Sequence, residues 1–293
     1  MDKFTLASLN KCAVLKVIRD ARAINKAEIA RLTNLSIPTA MKITDRLVEQ
    51  GIVRSCGKHE SAGGKRPEMY EFAGEDFFTV GIDIAPTNLK IIVMDLTGKI
   101  LAKENYSTKL QKPETVIETI SRLVECALQK SGISVMQILG AGIGMPGILD
   151  LEQGNVIFSP NFHWENIGLR EPLRAELLKK TGASWNLYLE NSNRALALGE
   201  QYFGSGVGYE YFICINLGYG IGSAIVQNGE FYVGSSGTSG EVGHITVEKD
   251  GTMCTCGNSG CLEALASGRA IAQQARNLVA GGIKTQMIEL VNG

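Results

Sequence analysis

The sequence predicts a two-part α/β chain, with a small N-terminal helix-turn-helix bearing a basic hairpin followed by a two-lobed domain of mixed sheets and helices. Three observations carry the expectation. Short amphipathic helices and a tight turn occupy residues 11–51. From Phe77 the pattern changes to period-two and fully apolar strands separated by glycines. The strand, turn, strand, hairpin, strand pattern that begins there recurs from Glu210, as expected of two related lobes.

Composition sets the outer bounds. The chain has 293 residues, 44% hydrophobic and 20% charged, with a net charge of −1, enough to bury a core in each of two domains. No apolar run approaches the roughly 18 residues of a membrane span, and the start MDKFTLASLN lacks the apolar region of a signal peptide. The expected compartment is the cytoplasm, with no membrane partner. The near-neutral total divides unevenly: residues 1–75 carry 13 Lys/Arg against 9 Asp/Glu, and the remainder 16 against 21. That asymmetry suggests that only the front end meets a polyanion.

At the front end, KCAVLKVIRDA aligns Val14, Leu15, Val17 and Ile18 in one helical stripe, and KAEIARLTN turns Ile29, Ala30 and Leu32 inward. Asn34-Leu35-Ser36 makes the turn, Ser36 caps the next helix, and Pro38 sits in its first turn. In IPTAMKITDRLVEQG the expected inward residues are Ile37, Met41, Ile43, Leu47 and Val48, and Gly51 ends the helix. Pro38, Thr39, Ala40, Lys42 and Thr44 are then left outside. GIVRSCG and PEMYEF read as a hairpin whose tip carries Lys58, His59, Lys65 and Arg66. A reading helix followed by a basic wing points to double-stranded DNA, with Thr39 and Lys42 at base edges or phosphates and Lys65 and Arg66 at phosphates or the minor groove. The competing reading is a three-helix packing module with solvated charges.

The back end carries one compact motif, EVGHITVEKDGTMCTCGNSGCLE, over residues 241–263. Four of the seven cysteines are scattered, whereas Cys254, Cys256 and Cys261 crowd together behind His244. One imidazole and three thiolates make a full tetrahedral set for one structural zinc ion, with no position left open for metal catalysis. The alternative is a pocket of reduced cysteines beside a core histidine. Two turns, Asp83-Ile84-Ala85-Pro86-Thr87 and Gly218-Tyr219-Gly220-Ile221-Gly222, lie where phosphate-cradling loops are expected, but the first has Ala85 and Pro86 where glycine is favoured, Pro86 lacks an N–H, and the second keeps its glycines around a bulky Tyr219.

These segments resemble the ROK family (repressors, open reading frames and kinases), in particular its XylR/NagC-like repressor branch. The likeness runs from the winged helix, through LTNLSIPTA and SAGGKRP, to Glu263 and somewhat beyond. It implies an actin-like, ribonuclease-H-like sugar-kinase fold, zinc near a sugar site, a sugar or sugar-phosphate effector, xylose metabolism among the branch's roles, and a homodimer or tetramer. Transferred residue by residue, the sugar site is Asn161, Asn191, Glu241, His244 and Glu263, beside the turn at Gly144 and Gly147. The departures are Ser192, where family kinases place a catalytic aspartate, and the two altered turns. Serine has no useful basicity near neutral pH, so the expectation is a sensor without kinase activity and without catalytic residues. A sugar kinase with an accessory DNA-binding domain is the alternative, and a relic that dimerises with a longer relative is a third reading. The expected domains are 1–74 and 77–293, with the second lobe shortened at its C-terminal side.

Overall fold

The computed structural model describes residues 3–58, 67–107 and 112–287. Its chain divides into two units, one formed by Met1–Phe78 with Asp95–Lys99 and the other by Thr79–Met94 with Ile100–Gly293.

In the first unit, α1 (Lys3–Asp20), α2 (Lys26–Thr33) and α3 (Ile37–Glu49) pack against a small antiparallel sheet of β1 (Ile24–Asn25), β2 (Val53–Lys58) and β3 (Glu68–Phe72), with β3 central. Asn25 caps α2 by accepting from the Glu28 N–H at 3.0 Å. Asn34 then takes the left-handed conformation, φ 53°, that lets the Leu35 N–H close on the Ala30 carbonyl at 3.1 Å. Ser36 caps α3, accepting from the Thr39 N–H. Val14, Ile18, Ile24, Ile29, Ala40, Leu47, Val53 and Tyr70 form the core.

The face that α3 buries differs from the expected one. Ala40, Thr44 and Leu47 point inward, whereas Ile37 and Met41 are exposed, as is Leu32 on α2. Thr44 can be buried because its hydroxyl donates to the Ala40 carbonyl at 2.8 Å, leaving no polar group unpaired. The unit is completed by the tight turn at Asp95, whose Oδ1 accepts from the N–H groups of Thr97 and Lys99 and from the Thr97 hydroxyl. Leu96 N–H bonds the carbonyls of Gly74 and Phe77.

The second unit is built on a five-stranded mixed sheet. Its strands are β4 (Phe78–Ala85), β5 (Asn88–Asp95), β6 (Ile100–Ser107), β7 (Ile138–Met145) and, after three further strands, β11 (Asn186–Asn191), ordered β11-β7-β4-β5-β6. β11 runs parallel to β7, and β5 antiparallel to β6. The strict alternation of β4 and β5 buries Val80, Ile82, Ile84, Leu89, Ile91 and Val93. Helices α4 (Pro113–Ser131) and α5 (Arg170–Thr181) pack against each other and contribute Ile120, Val124, Leu173 and Leu177 to the core. Between β7 and α5 lies a small antiparallel sheet of β8 (Ile148–Asp150), β9 (Asn155–Ser159) and β10 (Trp164–Gly168). After β11, α6 (Ser192–Phe203) packs on a third sheet of β12 (Phe212–Leu217), β13 (Ile221–Gln227) and β14 (Glu230–Phe231). The 241–263 loop follows, then α7 (Leu262–Ala266) and α8 (Gly268–Ala280). The repeated strand pattern is thus β4–β6 in one sheet and β12–β14 in another.

Because Leu47 is fully buried in the first unit, Leu47→Ala is expected to cost about 2–5 kcal/mol. Chemical denaturation followed by circular dichroism will read the loss, while Met41→Ala, on the exposed face, stays within about 0.5 kcal/mol.

Candidate metal centre and the polar ring beside it

Residues 241–263 fold as a short 3-10 turn, Val242–His244, followed by a knuckle. Two isolated bridges close the knuckle, Thr246 with Cys261 and Met253 with Ser259. The Cys254 N–H bonds the Asn258 carbonyl at 2.7 Å, and the Gly257 N–H bonds the Cys254 carbonyl at 3.1 Å. Gly260 has φ 68°, and a Cβ there would run into the Glu248 carbonyl oxygen, so only glycine lets the chain double back.

This folding brings the ligand atoms of His244, Cys254, Cys256 and Cys261 within 4.8 Å of one another. Cys254 Sγ lies 3.6 Å from His244 Nδ1, and Cys256 Sγ lies 3.8 Å from Cys261 Sγ. A tetrahedron with metal–sulfur bonds of about 2.3 Å has edges of about 3.8 Å, which these two separations already match, and the remaining ones, at most 4.8 Å, need close by no more than about 1 Å around one ion. Cys254 and Cys261 are buried. Burial, reinforced by the hydrogen bonds of Cys256 and Cys254, pushes the Cys261 thiol up to about 12. A cation among these sulfurs is what would draw the protons off.

The other ring nitrogen of His244 faces outward from the cluster, with Nε2 3.9 Å from Glu241 Oε2. The metal pocket and the polar ring therefore share one imidazole. Glu263, 7% exposed, accepts from the Ile221 N–H through Oε2 at 2.8 Å. Gly220 fits here because a Cβ would strike that same oxygen. Burial raises the Glu241 carboxyl above its ordinary range; the nearby Glu263 charge adds to this, while His244 and Arg194 partly offset it.

Asn191, 7% exposed, caps α6: Oδ1 accepts from the Asn193 N–H at 2.9 Å, and Nδ2 donates to the Gly147 carbonyl at 3.2 Å. Its side chain is thereby fixed by backbone on both sides. Gly147, φ 126°, lies against the Phe158 carbonyl, and Ser159 ties the same turn by donating to the Pro146 carbonyl at 2.7 Å. Asn161 follows in the β9–β10 turn, half-buried, with its amide unpaired among the described residues. In that turn Trp164 is buried and His163 exposed. The structure thus groups Glu241, His244 and Glu263, while Asn191 is bound to the Gly147 turn and to Asn193 and Asn161 lies two residues beyond Ser159 with no hydrogen bond to those three among the described residues.

Arg194 escaped the sequence reading. Its Nε donates to Glu190 Oε1 at 2.6 Å and its guanidinium reaches the Gly237 carbonyl at 3.2 Å, tying α6 to the loop that leads into Glu241. The Glu190/Arg194 spacing was the available signal, hidden because a strand end and a helix start fall between them. A Cβ on Gly144 would lie 3.7 Å from Ser192 Cα and 3.8 Å from Asp83 Oδ1, so Ser192 and the Asp83 end of β4 converge near Gly144. Burial raises the Asp83 carboxyl, partly offset by Lys90 3.8 Å away.

In the first unit, Lys42 is exposed and meets no carboxylate among the described residues. Thr39 is half-buried, and its hydroxyl is engaged with Ser36 Oγ at 2.8 Å. Lys65 and Arg66 lie outside the described residues.

Comparison with known proteins supplies the lineage. Residues 79–292 match the ROK family model, and residues 10–54 match a winged helix-turn-helix DNA-binding model. The xylose repressor of Caldicellulosiruptor bescii is 33% identical over 288 residues, 98% of this chain and 71% of that protein. The crystal structure of a ROK family transcriptional regulator, a homologue of the Escherichia coli MLC protein, superposes with a TM-score of 0.77 at 25% identity, over 95% of this chain and 69% of the other. A ROK family glucokinase from Streptomyces griseus, in complex with glucose and AMPPNP, superposes at 0.60 with 32% identity, over 70% of this chain and 62% of the other.

The knuckle gives a direct test. Gly260→Ala forces a Cβ into the Glu248 carbonyl at a left-handed φ, and is expected to destabilise the protein by more than about 1–2 kcal/mol. Gly132→Ala, also left-handed but with open space around it, is the milder control in the same melting experiment.

Proposed function

The chain belongs to the ROK family, and from that premise we propose that it is a sugar-responsive repressor of carbohydrate metabolism acting on double-stranded operator DNA. One observation carries the reading: a single chain joins a helix-turn-helix whose second helix exposes Lys42 and Arg46 to a polar ring of Glu241, His244 and Glu263. In this reading residues 1–74 bind the operator through Lys42, Thr39 and the wing residues Lys65 and Arg66, and residues 77–293 bind the effector. The chain acts in the cytoplasm as a homodimer or tetramer, the arrangement that paired half-sites favour.

The effector's adjacent hydroxyls would meet the Glu241 and Glu263 carboxylates as acceptors, the Asn161 amide as donor or acceptor, and His244 Nε2. Asn191 positions the Gly147 turn and has one amide hydrogen left to offer. The relative named a xylose repressor makes D-xylose the first sugar to test. Binding that favours one arrangement of the ring alters operator affinity, and operator DNA must alter sugar affinity by the same factor.

Zinc is the ion that best suits the donor set, held by His244 Nδ1 and the three Sγ atoms. With four protein ligands it would serve as a fixed template for residues 241–263 rather than as a catalyst. It would hold His244 with Nε2 toward the effector, as a ligating imidazole directs its free nitrogen.

Phosphoryl transfer does not belong to this reading. Ser192 stands near Asp83 and Gly144, where family kinases place their base, Pro86 withholds a backbone donor, and the second turn carries the bulky Tyr219. The likeness to a glucokinase keeps sugar phosphorylation as the competing reading. ATP turnover with a hexose and pentose panel separates the two: turnover at rates of about 1–100 per second overturns the repressor-only reading.

Two measurements test the proposal itself. One sugar of the panel, at about 100 times its Kd, stabilises the protein by about 2.7 kcal/mol; the same sugar shifts operator affinity in a gel assay, and Glu263→Gln removes both effects. No stabilisation by any sugar, or no salt-sensitive DNA binding, would refute it. Elemental analysis is expected to find one zinc per chain, and Cys254→Ser to lose the ion and lower the melting temperature by about 5 °C or more.

A further inference from the structure

The outward face of α3 carries two parallel rows. One begins Ile37–Met41 and ends at Asp45, which is ion-paired to Lys26. The other runs Pro38–Lys42–Arg46, and neither cation meets a carboxylate among the described residues. Ile37 is 55% exposed and Met41 41% exposed. Single exposed aliphatics are ordinary, but these stand one turn apart at the start of the helix, beside unpaired cations.

Such a surface, apolar residues beside Lys42 and Arg46 with Asp45 and Glu49 at its far end, has a specific complement. The major groove presents acceptors on guanine, phosphates along its rim, and, at every A·T pair, one apolar group, the thymine C5-methyl. Amphipathic protein partners would also cover Ile37 and Met41, but the match of residues 10–54 to a winged helix-turn-helix DNA-binding model favours DNA as the occupant. Building on the DNA-binding reading above, we infer that Ile37 and Met41 are specificity-determining residues that read thymine methyl groups, while Lys42 and Arg46 hold the helix to the backbone and to purine acceptors.

The probe is a duplex enriched from a random pool by the full chain, compared with the same duplex carrying deoxyuridine for thymidine at successive positions. Uracil pairs identically and lacks only the methyl. The expected result is a loss of about fourfold in affinity at one or two positions per half-site, the worth of one buried methyl-sized group. The Ile37→Ala/Met41→Ala double variant binds the thymine probe more weakly but no longer distinguishes it from the uracil probe. Its salt dependence is unchanged, whereas Lys42→Ala lowers the slope by about one. If the double variant keeps the parental thymine preference, or alters only the oligomeric state, the inference falls while DNA binding stands. If no duplex is enriched at all, the DNA-binding reading itself fails and takes this inference with it.

Discussion

Three thiols and one imidazole, all within 4.8 Å of one another, set the terms for everything around them. Their crowding dictates the course of residues 241–263, since Cys256 must turn back to meet Cys261 and Gly260 must pass against the Glu248 carbonyl. It fixes His244 with one nitrogen committed to the sulfurs and the other toward Glu241. It also sets where α7 begins, and so where Glu263 enters to accept the Ile221 N–H. A carboxylate so buried is tolerable only with such a partner. The polar ring thus inherits its geometry from the knuckle, and Arg194 secures the opposite side by holding the loop at Gly237.

A second constraint runs through α6. Asn191 caps this helix while donating to the Gly147 carbonyl, so the helix start, the β7–β8 turn and the small sheet behind it are a single hydrogen-bonded assembly. Ser192 follows directly, at the place that faces Asp83. A serine at that position has no useful basicity near neutral pH.

Much of this was readable from residue order alone. Period-two patterning marked β4 and β5, and the Cys/His spacing marked the cluster, because both depend on local covalent reach. The phase of α3 was not, since the apolar character of Ile37 and Met41 points them inward, whereas the core takes Ala40 and Thr44. Small residues face inward there because α3 is packed closely against α2, and a threonine that bonds its own helix backbone behaves as an apolar group. The Asn191 cap is local, made to the Asn193 N–H two residues on, but its bond to Gly147 and the Arg194 tie were hidden, because each depends on a partner more than 40 residues away, Gly147 in one case and Gly237 in the other.

The turn Asp95–Lys99 limits how the chain before it can vary. It belongs to the first unit although the strands on either side of it belong to the second, and its Leu96 amide bonds the carbonyls of Gly74 and Phe77. Because those two bonds run from backbone to backbone, they survive changes of side chain on either side, whereas an insertion or deletion between Gly74 and Leu96 would break them; length, more than residue identity, is what this segment must keep.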